Sequence, residues 1–186
     1  MRPGRLAGRL APSHSSHVTN ERQATMHDEG YELRAAVDGR NDGVFATRDF
    51  AAVDTVMLGE PGRPAPGNHS HANQISLTEW VFEDGLGPKV NHSCQPNCGV
   101  RFNDRVDGFD FVALAPIAAG EEITFDYAMR NLAIEHFPER CLCGTQACRG
   151  AVTGWKDLPE ERKAAYGAFV APYLREADRA VAPAAR

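Results

Sequence analysis

The chain has 186 residues, 42% of them hydrophobic, and a net charge of −5. This length allows one domain with a sizeable core. No apolar run approaches the roughly 18 residues of a membrane span. The excess of acidic residues argues against nucleic acid as a direct partner. Five cysteines without a secretory signal predict a cytoplasmic protein that uses them as metal ligands rather than in disulfides. The compact length and the tails rich in Ala and Arg are typical of a bacterial protein, whereas a eukaryotic source would imply a nuclear location.

Short strands dominate the predicted secondary structure. The N-terminal stretch is basic and contains Ser and His, so we expect a disordered tail over residues 1–28, with Met26 as a candidate true start. Apolar runs bounded by turn signals predict strands over 32–37, 44–47, 55–58, 73–80, 99–102, 109–115 and 123–125. The Gly- and Pro-rich segment 59–70 predicts a loop, and Asp107-Gly108 predicts a hairpin turn.

The C-terminal part changes to a helical pattern. Asp157 followed by Glu160 is a capping pattern. Apolar residues then recur at helical spacing, at Tyr166, Phe169, Val170, Tyr173 and Leu174. We expect a helix over 155–177 whose apolar stripe packs against the sheet rather than against a partner, kinked or ended by Pro172, and a disordered tail over 178–186.

Three cysteines stand close together in CLCGTQAC (141–148). Structural zinc is held by four ligands at tetrahedral corners, about 2.3 Å from each sulfur. Three thiols therefore leave one corner for water or for a distant cysteine. The two remaining thiols, Cys94 and Cys98, lie in NHSCQPNC (91–98), and spacing alone does not choose between them. Filling the corner with either thiol would give a closed zinc site that ties the end of the chain to the domain body.

Three motifs carry a family resemblance. NHSCQPN (91–97) resembles the NHSCxPN motif of SET-domain protein lysine methyltransferases, GEEITFDY (120–127) resembles their GEEITxDY motif, and CLCGTQACRG (141–150) resembles their post-SET zinc module. The resemblance implies a mainly β (α+β) fold, namely the β-clip-like SET fold with several small sheets and a pseudoknot, followed by the zinc module and a C-terminal helix. The implied domain ranges are 29–130 for SET and 131–154 for post-SET.

The resemblance also implies roles for individual residues. One structural Zn²⁺ would be held by Cys94, Cys141, Cys143 and Cys148, leaving Cys98 as a packed free thiol. The cofactor S-adenosyl-L-methionine would contact Asn91 and His92, and the backbone of Gly43, Val44 and Phe45. Tyr127 would be the catalytic tyrosine and would also contact the cofactor.

The expected chemistry explains these residue types. Methyl transfer from a sulfonium is an in-line displacement, so positioning does most of the work. A lysine acceptor must be neutral, and an apolar channel beside a cation lowers its pKa from about 10.4. Tyr127 would line this channel, and Phe125 implies di- or trimethylation unless it is plain core. The insert over residues 59–80 lacks the second tyrosine that the family usually has, so Trp80 or Phe82 would replace it as a wall unless both are core.

We therefore predict an S-adenosylmethionine-dependent N-methyltransferase that acts on a lysine of a protein or peptide partner. The short insert leaves open a small-molecule acceptor. The turn Asn41-Asp42-Gly43, where the family has GxG, leaves open a SET-fold binding module without turnover. The exposed-looking His69 and His71 are interpreted as surface residues rather than metal ligands.

Overall fold

The computed structural model describes residues 29–35, 42–69, 71–136 and 140–181, so the predicted tail 1–28 lies outside the described residues. Within them the chain forms short strands, three 3₁₀ turns and two α-helices, none of which is long and apolar enough to cross a membrane. The strands are β1 Tyr31–Arg34, β2 Gly43–Ala46, β3 Thr55–Met57, β4 Gly62–Ala65, β5 Asn73–Gln74, β6 Trp80–Glu83, β7 Asn91–His92, β8 Cys98–Asn103, β9 Gly108–Ala113 and β10 Thr124–Phe125. The helices are α1 Glu160–Ala165 and α2 Pro172–Val181.

The strands form three small sheets. The largest has the order β3-β9-β8-β10-β7, a second joins β4, β6 and β5, and the third pairs β1 with β2. Most neighbours are antiparallel, but β10 runs parallel to both β7 and β8. The mainly β architecture with several small sheets confirms the predicted fold class. The parallel pairing matters for function because it joins two sequence motifs that are far apart in the chain.

The central hairpin of β8 and β9 supplies the core of the largest sheet. All six residues of β9 are buried, and Val100 of β8 packs with them at 0% exposure. The hairpin turns where predicted, with Asp107 in the left-handed region at φ 52°, a conformation that Asp tolerates better than most side chains. The core cluster extends from this hairpin to Phe50 and Ile123.

The insert differs from its prediction. Residues 62–65, expected in a loop, form β4 by pairing with β6, and the strand expected over 73–80 is split into β5 and β6. Between them, the backbone N–H of Thr78 donates to Ser76 Oγ at 3.3 Å, and Ile75 N–H donates to the Glu79 carbonyl at 3.0 Å. Such local hydrogen bonds from Ser and Thr favour a turn over a continuous strand.

The C-terminal segment is also divided. The single helix expected over 155–177 is a 3₁₀ turn followed by α1 and α2, and α2 extends to Val181 into the predicted tail. Pro172 begins α2 rather than ending a helix, as suits a residue with a fixed φ and no N–H. The apolar stripe does pack on the sheets, since Tyr166, Val170 and Leu174 are each at most 5% exposed.

Candidate active site and zinc site

Parallel pairing of β7 with β10 places two motifs side by side. His92 lies directly opposite Phe125. Immediately after β10, the Asp126 carboxylate caps a 3₁₀ turn that begins at Tyr127 by accepting a hydrogen bond from the Ala128 backbone N–H at 3.1 Å. The register of this parallel pair therefore sets where Tyr127 lies relative to the first motif.

A cavity of about 450 Å³ opens beside this junction. Its wall includes Asn91, Phe125 and Tyr127, which are three of the predicted site residues. Asn73 and Arg130 also line it, so one part of the wall is aromatic and another is polar. Most of the lining is polar, so the aromatic pair forms a local apolar wall in a concave site whose polar groups can orient a ligand.

Tyr127 is held at the cavity wall as a neutral hydroxyl. Its Oη donates a hydrogen bond to the Val90 carbonyl at 3.1 Å, and its ring centroid lies 4.9 Å from that of Phe125. Burial raises the pKa of Tyr127 to about 12. The hydroxyl therefore keeps its proton at physiological pH and can direct an oxygen lone pair at a ligand.

His92 lies behind the wall rather than on it, with 8% of its surface exposed. Its Nδ1 accepts a hydrogen bond from the Tyr127 backbone N–H at 3.3 Å, and its Nε2 lies 3.4 Å from Cys94 Sγ. Burial lowers the pKa of His92 to about 4, although the nearby Asp126 raises it. The imidazole is therefore neutral, and because Nδ1 accepts, its proton sits on Nε2 and points to the sulfur.

Asn91 is fixed at the edge of the cavity. Its Nδ2 donates to Glu122 Oε1 at 2.8 Å and to the Asp42 carbonyl at 3.3 Å. A Cβ added at Gly43 would lie 2.6 Å from Glu122 Oε1 and 2.9 Å from Asn91 Nδ2. Glycine at this position therefore lets the start of β2 approach the pair closely, next to the cavity-lining Asp42.

Three other predicted residues lie elsewhere. Val44 is in the core at 0% exposure, and Phe45 is half-buried on β2, neither of them among the residues lining this cavity. Trp80 lines a separate cavity of about 240 Å³. The prediction of Trp80 as a wall beside Tyr127 is thus wrong, because the split insert places Asn73 there instead.

Four cysteines gather beside this site. The sulfur atoms of Cys94, Cys141, Cys143 and Cys148 all lie within 4.8 Å of one another, and the first two are 3.9 Å apart. Sulfurs around a tetrahedral zinc are about 3.8 Å apart, given bonds of about 2.3 Å. Cys98 is not part of the group, since it begins β8 and packs in the hydrophobic core cluster instead. Of the described residues, no other His, Cys, Asp or Glu side chains group closely enough to hold a metal.

The surroundings act differently on the individual thiols: burial raises the pKa of Cys94 and raises that of Cys141 to about 12, whereas the pKa of Cys143 is lowered. The Arg149 backbone N–H donates to Cys94 Sγ at 3.3 Å, and the Thr145 hydroxyl lies 3.3 Å from Cys143 Sγ. Burial opposes ionisation of Cys143, but hydrogen bonds led by that of Thr145 lower its pKa to about 6. Donors of this kind orient and tune the ligands of a metal site. The four-thiol set therefore fits zinc, the metal predicted from the sequence.

Two buried charged clusters had not been assigned from the sequence. Asp126 is fully buried and is bound by the Arg149 guanidinium and the Tyr166 hydroxyl. Arg130 is 3% exposed, donates to the Asn73 side chain and lies 5.3 Å from the Phe125 ring centroid. The only sequence signal was an acid inside the apolar run ITFDY, because a buried carboxylate needs partners.

The fold and site together define a class of protein: a β-rich SET-type domain followed by a thiol cluster suited to a metal. Residues 41–128 match the model of the SET domain family. The match spans 88 of the 186 residues and includes both NHSCQPN and GEEITFDY, the motifs that resemble those of SET-domain lysine methyltransferases. The position of the cysteine cluster after this domain fits the predicted post-SET module.

Similar proteins support this assignment over part of their length. The chain is 40% identical over 90 residues to histone-lysine N-methyltransferase ATXR3 of Arabidopsis thaliana, covering 46% of this chain and 4% of that protein. It is 39% identical over 80 residues to human histone-lysine N-methyltransferase SUV39H2, covering 33% of this chain and 19% of that protein. The chain thus spans less than a fifth of the curated relatives that it matches.

Among solved structures, this chain is similar to KRYPTONITE, with a TM-score of 0.52 and 22% sequence identity. That structure is a complex with mCHH DNA, an H3(1-15) peptide and SAH. The match covers 66% of this chain and 29% of that one, and it shows the shared fold. DNA is present in that complex, so the exclusion of nucleic acid as a partner stays a prediction here, as does the cytoplasmic location.

Proposed function

We propose that this protein is an S-adenosylmethionine-dependent methyltransferase that modifies lysine side chains of a protein substrate. The observation that carries the proposal is the convergence of Asn91, Phe125 and Tyr127 on one cavity in a SET domain. The similarity to histone-lysine methyltransferases and the SAH in the KRYPTONITE complex support the choice of reaction and cofactor.

The cofactor would supply an electrophilic methyl group on a sulfonium. Asn91 and Asp42 border the cavity where it would bind, and His92 supports the wall from behind. Neutral His92 adds no positive charge next to a cationic ligand. The aromatic rings of Phe125 and Tyr127 favour a cation by their electron-rich faces.

The acceptor end of the cavity would prepare a lysine amine. The apolar faces of Phe125 and Tyr127 desolvate an ammonium group, which lowers its pKa and favours the neutral nucleophile. The Tyr127 hydroxyl, neutral because its pKa is about 12, aims the amine through its oxygen. Phe125 carries no hydroxyl that would hold a water beside the amine, which supports di- or trimethylation as the outcome.

The four cysteines would hold one structural zinc ion. With four thiols the coordination is complete, which leaves no open position for catalysis by the metal. The zinc would instead fix the segment 141–150 against Cys94, and Cys94 touches the site through His92. Its proposed contribution is therefore structural and local to the active site.

The test is methyl transfer from S-adenosylmethionine labelled in its methyl group. Core histones, a cell lysate and buffer alone serve as acceptors, and wild type, Tyr127→Phe and Tyr31→Phe are run in parallel. Tyr31 loses the same hydroxyl from β1, away from the cavity. We expect label in a protein band with wild type and Tyr31→Phe, and a rate lower by about 100-fold in Tyr127→Phe, since misplaced reacting groups cost about that much.

Automethylation is controlled separately. The lysines of the chain are Lys89, Lys156 and Lys163, so mass spectrometry of the enzyme band identifies self-labelling at these three positions. Label that appears only in the small-molecule fraction of the lysate, with none on protein, would contradict a lysine acceptor. Binding of S-adenosylhomocysteine without any labelled product would contradict turnover itself.

A further inference from the structure

The Asp126 carboxylate is a meeting point of four chain segments. It is 0% exposed and lies at the end of β10, directly before Tyr127. The Arg149 guanidinium donates to both of its oxygens, with Nη2 to Oδ1 at 3.0 Å, and the Tyr166 hydroxyl donates to Oδ2. His92 Nδ1 lies 3.5 Å from Oδ1. Arg149 and Tyr166, two donor residues from distant segments, thus fix the orientation of one buried carboxylate.

That carboxylate controls the start of the turn that presents Tyr127. Its Oδ1 caps the turn by accepting the Ala128 N–H at 3.1 Å, while the Tyr127 N–H donates to His92 Nδ1 at 3.3 Å. A two-point guanidinium–carboxylate pair adds geometric precision as well as energy. Rotation of the Asp126 side chain would therefore release the cap and shift the Tyr127 ring within the cavity.

Arg149 ties this carboxylate to the thiol cluster. It directly follows Cys148 in the chain, and its backbone N–H donates to Cys94 Sγ at 3.3 Å. Its side chain is 15% exposed, so it reaches Asp126 from near the surface. A single residue thus contacts a predicted zinc ligand with its backbone and the acid beside Tyr127 with its side chain.

We infer that Arg149 is a positioning residue for the proposed methyl transfer. Through Arg149, the thiol cluster holds Asp126 and the Tyr127 turn in place. The inference rests on the proposed function for its kinetic readout only. The zinc module would then orient a residue of the proposed active site through Arg149, in addition to holding the end of the chain against the domain. Because Arg149 does not line the cavity, it acts through Asp126 rather than on a ligand.

The matched control is Arg162, whose Nη1 donates to the Cys94 carbonyl at 3.1 Å but which makes no contact with Asp126. We compare wild type, Arg149→Ala and Arg162→Ala for zinc content, S-adenosylhomocysteine affinity and transfer rate at saturating cofactor. Arg149→Lys, which keeps the charge but loses the two-point fork, is measured alongside in case the alanine variant does not fold. Methylguanidine is then added to the alanine variants, since the partly exposed Arg149 site can admit it.

We expect one zinc per chain in all variants, a transfer rate lower by about 100-fold in Arg149→Ala, and cofactor affinity lower by about tenfold. Arg149→Lys should fall between wild type and Arg149→Ala. Arg162→Ala should stay within about twofold of wild type, and methylguanidine should restore the rate of Arg149→Ala only.

The inference is overturned if Arg149→Ala or Arg149→Lys matches Arg162→Ala in rate and affinity. It is equally overturned if Arg149→Ala loses zinc and methylguanidine restores nothing, because Arg149 would then only support the metal site. If wild type binds S-adenosylhomocysteine but labels no protein, the proposed function fails, whereas the affinity comparison still decides the role of Arg149.

Discussion

Replacing Asp126 by Ala should cost more stability than any other single loss of a carboxylate in the described structure. Asp126 accepts hydrogen bonds from Arg149, Tyr166 and Ala128, and all of these donors would lose their partner. Breaking a buried ion pair by removing one partner costs about 3–5 kcal/mol. For a chain of this length, about 1 kcal/mol lowers Tm by roughly 2–4 °C. We therefore expect Tm to fall by roughly 6–20 °C.

Thermal melting followed by circular dichroism measures this difference, with zinc content determined on the same samples. Asp178→Ala is the matched control, because Asp178 accepts from Trp155 Nε1 at 2.8 Å and Lys163 Nζ at 2.9 Å while its side chain is 39% exposed. The control should lose only about 1 kcal/mol. Equal Tm losses in both variants would refute the reasoning that burial and three donor residues make Asp126 contribute more stability than Asp178.

Three further predictions follow from single contacts. Cys94→Ser should lower bound zinc from one ion per chain to less than half, by elemental analysis, whereas Cys98→Ser should leave it unchanged, because only Cys94 belongs to the thiol cluster. Leu174→Ala should lower the free energy of unfolding, measured in urea, by about 2–5 kcal/mol. Leu142 is 55% exposed, so Leu142→Ala should lower it by less than about 0.5 kcal/mol. Similar losses in the two variants would contradict core packing of the C-terminal apolar residues. Burial raises the pKa of Tyr127 to about 12, so its hydroxyl stays protonated below that value. Initial rates of methyl transfer measured from pH 7 to 10 should therefore only rise, because the acceptor amine loses its proton over this range. A decline in rate near pH 9 would contradict this.

Features that depend on local sequence could be predicted. The β8–β9 hairpin was expected at nearly its observed position, because Asp107-Gly108 favours the turn and the flanking residues are apolar. Burial of the C-terminal apolar residues was also expected, although Tyr166 and Val170 lie between the two helices rather than on one continuous helix. The helix was expected to kink or end at Pro172, but α1 ends at Ala165 and Pro172 begins α2, because a proline can begin a helix as well as end one.

Features set by distant contacts could not be predicted. Spacing gave no choice between Cys94 and Cys98, and only the start of β8 at Cys98 turns that thiol into the core. Strand β4 contains Pro64 and lies within the Gly- and Pro-rich segment 59–70, yet pairing with β6 makes it a strand at a sheet edge, where Pro is tolerated. Trp80 was misplaced for the same reason, since its side chain follows the register of β6.

The buried acid also explains why the predicted domain ranges are not independent units. The Tyr166 hydroxyl reaches Asp126, and the single Tyr173 O–H lies within hydrogen-bond distance of the carbonyls of Gln74 and Arg130 behind the cavity wall. Both tyrosines come from the segment after residue 154, although the groups that they bind lie within 29–130. Buried polar groups left without partners are costly, so the SET range alone would leave these acceptors unpaired. The C-terminal segment therefore supports the wall of the candidate site in addition to following the thiol cluster in the chain.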